Sequence, residues 1–404
     1  MRVATANSYD NTINNLSKRQ TELVDQQNRI STGKRVLKAS DDPVSAVLSE
    51  AVQNRYARGE ADKRALESSR TSLTQAESAL GEASELIQDV RTLLVSAGNA
   101  TYSDRERADI AQQIEGLRER LLGVANQRDS SGRTLFGGLG GSSTPFVEAY
   151  GPAGGGNVRF DGQRGQEATG NNTLPQSMDG DAIWMQVPQG NGSFVIDLAA
   201  GNTGAVRTDT GRVTNPSALT GQDYSIAFAD VAGVMQYSVT NTSTGTPVAG
   251  MSNVPYADGN AIEFDGMSFV VNGPPSAGDT IGVATPTTPT DIFKVMQDAI
   301  NALRTTGNGA NQTHAVGRAM NELDASLDRT LQARSQTGAW LNRADATEAL
   351  LTGRGVAHKT EQSNLEDLDM IQGISDFQNK QTGLQVALQS YAKVQSLSLF
   401  QYIS

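Results

Sequence analysis

Apolar side chains recur at heptad spacing near both ends of the chain. The N-terminal series alternates steps of four and three residues, which is typical of a helix that buries one stripe against a partner helix. This series contains Tyr9, Ile13, Leu16, Gln20, Leu23, Gln27 and Ile30. The C-terminal series has the same spacing and contains Met370, Ile374, Phe377, Gln381, Leu384, Leu388, Tyr391, Gln395, Ser398 and Tyr402. We therefore predict one amphipathic helix at each end of the chain.

A long helix is predicted directly after the N-terminal one. Its helix-start motif consists of Ser40, Asp41, Asp42 and Pro43. A carboxylate there accepts hydrogen bonds from N–H groups of the first turn, and proline fits the first helical position. Leucine or isoleucine then recurs every seven residues from Leu66 to Leu94. We predict a helix from Pro43 to about Ala97.

Three further helices follow from capping and periodicity. Ser103 and Glu106 have the spacing of a capping box, which predicts the start of a third helix. A short helix is predicted from Asp291 to about Arg304. A second long helix is predicted where apolar residues resume helical spacing at Val316.

The middle of the chain has a β-type pattern. Eleven of the 12 prolines lie between Pro145 and Pro289, and proline breaks helices. Side chains alternate in 224–228, 234–239 and 262–266, which predicts strands. The predicted fold class is α+β, with a long antiparallel helical bundle or coiled-coil stalk built from both chain ends and an inserted small all-β domain.

Three domains are expected from these changes in pattern. Residues 1–42 with 360–404 would form a terminal helical domain, and residues 43–138 with 290–359 a long-helix bundle. Residues 139–289 would form a β-rich outer domain.

Composition narrows the range of partners. The formal net charge of −11 disfavours nucleic acid and anionic membranes, because binding phosphate needs clustered Lys and Arg. The chain has no cysteine, which excludes disulfides and thiolate metal sites. No stretch has the length of an apolar membrane helix, and the start lacks the apolar core of a signal peptide.

Candidate chemical groups all have simpler structural explanations. His314 and His358 each lack a second metal ligand four residues away, so we interpret them as solvated or packing residues. Asp41 and Asp42 are explained by helix capping. Three acidic residues lack the glycine and distal glutamate of a calcium loop, and we interpret them as a solvated helix face: Glu366, Asp367 and Asp369. We therefore expect no catalytic residue, cofactor or metal site.

The terminal heptad stripes remain to be explained, and two readings are open. They could pack against each other within one chain, as an antiparallel hairpin or an ordinary coiled coil. Alternatively, each could be buried against neighbouring copies, so that folding of the chain ends is coupled to assembly.

Three segments resemble the flagellin superfamily. The segment from Ser31 to Ala46, STGKRVLKASDDPVSA, is similar to the N-terminal motif of that superfamily. The segments 126–138 and 334–343 resemble the exit from its N-terminal helices and the return into its C-terminal helices. Within the superfamily, the aromatic finish 397–404 and the segment 262–279 are more similar to hook-associated members than to filament-forming flagellins.

The resemblance implies a structural subunit at the junction between the flagellar hook and filament. The alternatives are a filament-forming flagellin and, more weakly, an enzyme on the β insert. The implied partners are other copies in a helical lattice, another hook-associated protein, flagellin, and an export chaperone at the C-terminal segment. The implied location is extracellular, on the flagellum, reached through the flagellar type III export apparatus without a cleaved signal peptide. The residues expected at the assembly interface are Tyr9, Ile13, Leu16, Leu23, Ile30, Met370, Ile374, Phe377, Leu384, Leu388 and Tyr391.

Overall fold

Both long helical regions frame a strand-rich segment. The computed structural model describes residues 2–99, 102–140, 143–149, 157–167, 174–286, 288–305 and 309–403, and it describes the side chains of the terminal helices only between residues 10 and 393. The α-helices in these ranges are α1 (Arg2–Thr32), α2 (Pro43–Ala97), α3 (Asp104–Ala125), α4 (Ile292–Arg304), α5 (Gly309–Glu366) and α6 (Met370–Ile403).

Local capping fixes where several helices begin. At α3 the Glu106 amide donates to Ser103 Oγ and the Ser103 amide donates to Glu106 Oε2, which confirms the capping box. At α4 the Lys294 amide donates to Asp291 Oδ1 at 2.7 Å. The start predicted for α5 at Val316 was wrong, because the helix begins at Gly309. Its first two turns carry few apolar residues, so periodicity could not reveal them.

Twelve strands lie in the described part of the chain. They are β1 (Phe146–Glu148), β2 (Val158–Phe160), β3 (Val195–Leu198), β4 (Arg207–Thr208), β5 (Arg212–Val213), β6 (Tyr224–Val231), β7 (Val234–Asn241), β8 (Thr246–Pro247), β9 (Val254–Pro255), β10 (Ala261–Phe264), β11 (Met267–Asn272) and β12 (Thr280–Ala284). The largest sheet has the order β3-β12-β6-β7-β8, with β9 also paired to β7. A second sheet has the order β10-β11-β4, with β5 on β11, and β1 pairs with β2. All these pairs are antiparallel.

Two-residue turns set the register of the longest hairpins. Ala232 and Gly233 join β6 to β7, and both have positive φ. Asp265 and Gly266 do the same between β10 and β11. Turns of this kind match the twist of the strands that they connect. The alternation had placed Asp265 and Gly266 within a strand, and that detail was wrong.

The chain divides into two compact units. One contains residues 1–65 and 346–404, and the other contains residues 66–345. In the first unit α2 and α5 are antiparallel, since Arg55 pairs with Glu361 at 3.3 Å while Lys63 contacts Thr352. The predicted fold class of paired helices with an inserted β-rich region is confirmed, whereas the three-domain division remains a prediction.

The second unit has two apolar cores. The helical core includes the heptad residues Leu73, Leu80, Ile87 and Leu94, which are almost fully buried. Trp184 also belongs to this core, stacked edge-on against Phe136. The other core lies between the sheets and is built from side chains between residues 194 and 283.

A pair of backbone hydrogen bonds closes the neck of the strand-rich segment. The Val187 amide donates to the Thr290 carbonyl at 2.8 Å, and the Thr290 amide donates back to the Val187 carbonyl at 2.9 Å. We call this pair the clasp. It brings together the points where the chain enters and leaves residues 188–289.

His314 ties α5 to the strands. Its Nε2 lies 2.9 Å from the Ile196 carbonyl and its Nδ1 lies 3.2 Å from Thr208 Oγ1. The side chain is buried in this contact. It is a packing residue.

Candidate assembly surface of the terminal helices

The terminal helices α1 and α6 pack against each other within the chain, and they run antiparallel. Gln26 of α1 contacts Gly373 of α6, where its Nε2 donates to the carbonyl at 3.0 Å. Closer to the start of α1, a Cβ added to Gly383 would lie 2.8 Å from Nη1 of Arg19. Residue numbers thus fall along α1 as they rise along α6.

One row of each predicted stripe lies at this contact. These residues are half-buried, and we call them the central row: Leu16, Leu23, Ile30, Phe377, Leu384 and Tyr391. A half-buried leucine still leaves apolar area in water. The pairing within the chain therefore uses only part of the stripe.

The rest of the predicted stripe faces solvent. Exposed fractions are 41% for Ile13, 43% for Met370, 45% for Ile374 and 46% for Leu388, whereas the heptad residues Leu73 and Leu80 of α2 are 1% and 0% exposed. The Tyr9 side chain lies outside the described residues. We call the exposed apolar residues beside the central row the outer flank: Ile13, Val24, Met370, Ile374 and Leu388. Ile371 and Val386 are also exposed but lie on other sides of α6.

A different flank of each helix faces inward. On α1 the buried residue is Gln26, not the predicted Gln27, which is exposed. On α6 the residues beside the central row are small or polar. We call these inward residues the inner flank: Gln26, Gly373, Lys380 and Ala387.

The predicted stripe therefore has two parts. Its central row lies between α1 and α6, and its other row faces solvent. A strict heptad drifts by about 20° per repeat on a straight helix, so the pattern does not determine which flank faces the partner. The more apolar flank of each terminal helix is the one left exposed.

Other apolar side chains of the same unit are also exposed. Val44 and Val47, on the first turns of α2, are 69% and 67% exposed, and Ile371 is 85% exposed. Scattered single apolar residues on a surface are ordinary, whereas a series along both terminal helices and the start of α2 is a candidate interaction surface.

The loop between α1 and α2 carries the helix-start motif. The Ser45 amide donates to Asp42 Oδ1 at 3.1 Å, and the Ser45 hydroxyl donates to Asp42 Oδ2 at 2.6 Å. These bonds, with the Arg35 guanidinium, lower the pKa of Asp42 to about 2. Asp41 accepts the amides of Leu37 and Lys38, which lowers its pKa as well. Pro43 is the first residue of α2, and Ser40 precedes the two carboxylates in the exposed loop.

This loop is bound to the turn between α5 and α6, and we call the contact the joint. The Leu368 amide donates to the Gly33 carbonyl at 2.9 Å, and the Arg35 amide donates to the Glu366 carbonyl at 2.6 Å. Gly33 has a φ of 69°, a conformation that favours glycine at the end of a helix. Four chain segments therefore meet at one place.

Glu366 is the central side chain of the joint. Its carboxylate binds the Lys34 ammonium at 2.8 Å and accepts the Ser49 hydroxyl, and the Lys34 and Ser49 contacts lower its pKa. The interpretation as a solvated helix face was wrong for Glu366, which is half-buried at these contacts. Asp367 and Asp369 are exposed, but they lie in the turn between α5 and α6 and not on a helix face. Asp369 accepts the amides of Ile371 and Gln372 and caps α6.

Sequence reasoning missed the partners of these groups. Glu366 and Lys34 are 332 residues apart, so no local spacing could associate them. Gln26 was passed over because it lies beside the heptad positions. The glycines of α6, at 373 and 383, were the available signal, since glycine inside a helix often marks close approach of another chain segment.

The described residues contain no group of three or more His, Asp and Glu side chains placed to hold a metal ion. Within the same residues, no helix combines the length and apolar character needed to cross a membrane. The unit's distinguishing features are therefore its apolar outer flank and its joint.

The helical regions at both ends of the chain match known protein families. Residues 3–140 match the bacterial flagellin N-terminal helical region, and residues 315–403 match the bacterial flagellin C-terminal helical region. The two matches contain α1, α2 and α3 on one side and nearly all of α5 and α6 on the other.

Full-length similarity is to hook-associated proteins. Flagellar hook-associated protein 3 of Salmonella typhimurium is 26% identical over 410 residues, which cover 99% of each chain. The flagellar junction protein of Legionella pneumophila has a solved structure with a TM-score of 0.67 and 27% identity, covering 74% of this chain and 99% of that one. In contrast, the flagellin of Bacillus subtilis is 27% identical over 184 residues, only 45% of this chain and 58% of that protein.

Proposed function

This chain belongs to the flagellin family, and we infer that within this family it is the structural subunit of the junction between the hook and the filament of the bacterial flagellum. It is a structural protein and not an enzyme. The observation that carries this conclusion is the match to hook-associated protein 3 over 99% of both chains. The flagellin of Bacillus subtilis matches only 45% of this chain, whereas the match to hook-associated protein 3 includes the strand-rich segment.

Assembly is proposed to bury the outer flank. Copies would repeat around a helical lattice through contacts that join different surfaces of neighbouring subunits. Completing the burial of one half-exposed leucine or isoleucine contributes roughly 1 kcal/mol. Because every copy has five outer-flank residues, the burial energies add, and each contact between copies gains several times this contribution.

The predicted interface residues have two roles in this proposal. The central row holds α1 against α6 within each copy. The outer flank, together with Val44 and Val47, meets neighbouring copies. Tyr9 is proposed to continue the central row, because it lies seven residues before Leu16 in the same heptad series.

The partners follow from the position at a junction. One side of the layer would bind another hook-associated protein, and the other side would bind flagellin. The terminal helices would lie innermost, the long helices around them, and residues 139–289 outermost. Before assembly, an export chaperone would cover the apolar C-terminal segment, and the chain would leave the cell through the flagellar type III export apparatus.

Electron microscopy of cells that lack the protein tests the proposal. Intact hooks without filaments, with flagellin released into the medium, are the expected result. Restoring the chain should restore filaments. Cells that retain junction layers but lose only filament length would instead identify a filament flagellin.

A further inference from the structure

The terminal helices pair through their less apolar flanks. The inner flank contains the amide of Gln26, the ammonium of Lys380 and a glycine, whereas the outer flank contains isoleucine, valine, methionine and leucine. Burial of apolar area alone would favour the opposite arrangement. A specific contact must therefore stabilise the pairing of α1 and α6 through their inner flanks.

Gln26 supplies that contact. Its side chain is only 4% exposed, in a helix whose other described side chains are half-buried or exposed. Its Nε2 donates to the Gly373 carbonyl at 3.0 Å, and its Oε1 accepts the Lys380 ammonium at 3.2 Å. One amide thus bonds to two residues that lie about two turns apart on α6, and one of the bonds is to a charged donor, which strengthens it.

Gly373, whose carbonyl accepts the Gln26 amide, lies in a confined position. A Cβ there would lie 2.7 Å from Cδ2 of Leu368, in the turn that precedes α6. The backbone bonds of the joint, at Gly33 and Leu368, hold the ends of α1 and α6 that lie next to the loop. Gln26 acts about two turns farther along α1, where it bonds directly to α6.

We propose that Gln26 is a specificity-determining residue that selects which flank of the terminal helices packs within the chain. By fixing the inner flank in the pair, it keeps the outer flank available for neighbouring copies. A single buried polar side chain is known to specify the alignment of paired helices in this way. Only the use of the outer flank rests on the proposed function; the selection itself is a property of the isolated chain.

Single cysteines can report the selection, because the natural chain has none. Ala387 is half-buried on the inner flank, and its neighbour Leu388 is exposed on the outer flank. In the otherwise natural full-length chain, Leu388→Cys should react with a maleimide faster than Ala387→Cys. Equal rates there would already overturn the proposal.

Gln26→Ala is then added to each cysteine variant. The rate at Leu388→Cys should fall and the rate at Ala387→Cys should rise, because the two helices turn their apolar flanks inward. The matched control is Gln27→Ala, which makes the same change at the adjacent exposed residue and should leave both rates unchanged. Lys380→Ala removes one partner of Gln26 and should shift both rates in the same directions by less.

Two results would overturn the inference. Unchanged rates in Gln26→Ala would mean that the amide selects nothing. An increase at both cysteines would mean that Gln26 holds the pair together without choosing its flank. Neither result would bear on the junction role, which is tested separately by filament growth in cells.

Discussion

Buried carboxylates stand out among individual residues of the second unit. Burial raises the pKa of Asp291 to about 6, although the Lys294 amide and the nearby Lys294 and Arg118 charges oppose the shift. Burial also raises the pKa of Glu322, which accepts the Gly190 amide at 3.1 Å. Both groups lie where α4 and α5 pack against other parts of the chain.

The Asp291 shift predicts a dependence of stability on pH. A carboxyl whose pKa rises from 3.8 to about 6 on folding binds its proton more tightly in the folded state. Its contribution is therefore fully present below pH 3.8 and is lost as pH rises through 6. The Asp291→Asn variant keeps an oxygen to cap α4 but cannot ionise, so at pH about 8 its free energy of unfolding should be higher by roughly 1–3 kcal/mol.

Denaturant unfolding of both proteins across this pH range measures the difference. The gain should disappear at pH about 4, where Asp291 is largely protonated. Asp298→Asn is the control, since Asp298 is a partly exposed partner of Lys294 on the same helix. An Asp291→Asn gain of equal size at both pH values would contradict the linkage.

Residue-level reasoning succeeded where the partner is close in sequence. Asp42 with Ser45 and Ser103 with Glu106 are three residues apart, and both caps follow from spacing alone. The interpretation of Glu366 was wrong because its partner, Lys34, comes from the opposite end of the chain. Physical chemistry predicts what a carboxylate needs, but only the fold decides which chain segment supplies it.

At the scale of elements, the joint links the terminal helices to the long ones. Asp42→Ala removes the cap of α2 together with the Arg35 ion pair. We expect the melting temperature of the helical signal in the first unit to fall by a few degrees. The second unit should melt as before. Both tryptophans, Trp184 and Trp340, lie in that unit. Tryptophan fluorescence therefore follows the second unit while circular dichroism follows the helices of both units, and Ser40→Ala in the same loop is the control.

Hydrogen exchange should show a gradient along α1 and α6. Amides next to the joint and Gln26, at 26–32 and 370–377, are held by the loop contacts and the buried amide. Amides at 10–16 and 387–393 are held mainly by a half-buried central row, so they should exchange faster in the isolated chain. Strong and uniform protection along both helices would mean that the intrachain pair is complete without neighbours.

The helices themselves were largely predictable from the sequence, but the side of each terminal helix that packs within the chain was not. Heptad spacing identified α1 and α6 because apolar side chains on one stripe require a partner. It could not tell the inner flank from the outer flank, because the two lie on either side of the same central row. In our proposal the buried amide of Gln26 decides which flank faces inward, and a search for apolar positions does not find that residue.

At the scale of the whole molecule, Leu388 tests whether the outer flank serves assembly. Leu388→Asp places a carboxylate on a residue that is 46% exposed in the single chain, so the isolated protein should keep its melting temperature. In an assembled layer the same carboxylate would be desolvated without a partner, at a cost of about 2–5 kcal/mol per copy. Filament growth and motility should therefore be lost.

The matched control is Gln389→Asp, which introduces the same charge at an exposed polar neighbour. It should assemble normally. Motility, the amount of secreted protein and monomer melting are measured on both variants. A Leu388→Asp chain that melts early yet still assembles would place Leu388 in an intrachain core and contradict the outer-flank proposal.

The architecture could be predicted because its two kinds of segment have different composition. Proline and glycine are concentrated in the middle, and heptads occupy the ends. The packing of Phe146 and Trp184 into the helical core could not be predicted in this way, because it joins residues of the proline-rich segment to helices on both sides. Such contacts depend on the folded chain as a whole.

The clasp at Val187 and Thr290 has a consequence for engineering. Residues that exchange both backbone hydrogen bonds across antiparallel strands have Cα atoms about 5.5 Å apart, so the chain leaves and rejoins the helical framework at nearly one point. A guest domain whose own termini lie close together could replace residues 188–289 without stretching α4 or α5. Residues 188–289 can then be exchanged as one block, with the fusion points next to Val187 and Thr290.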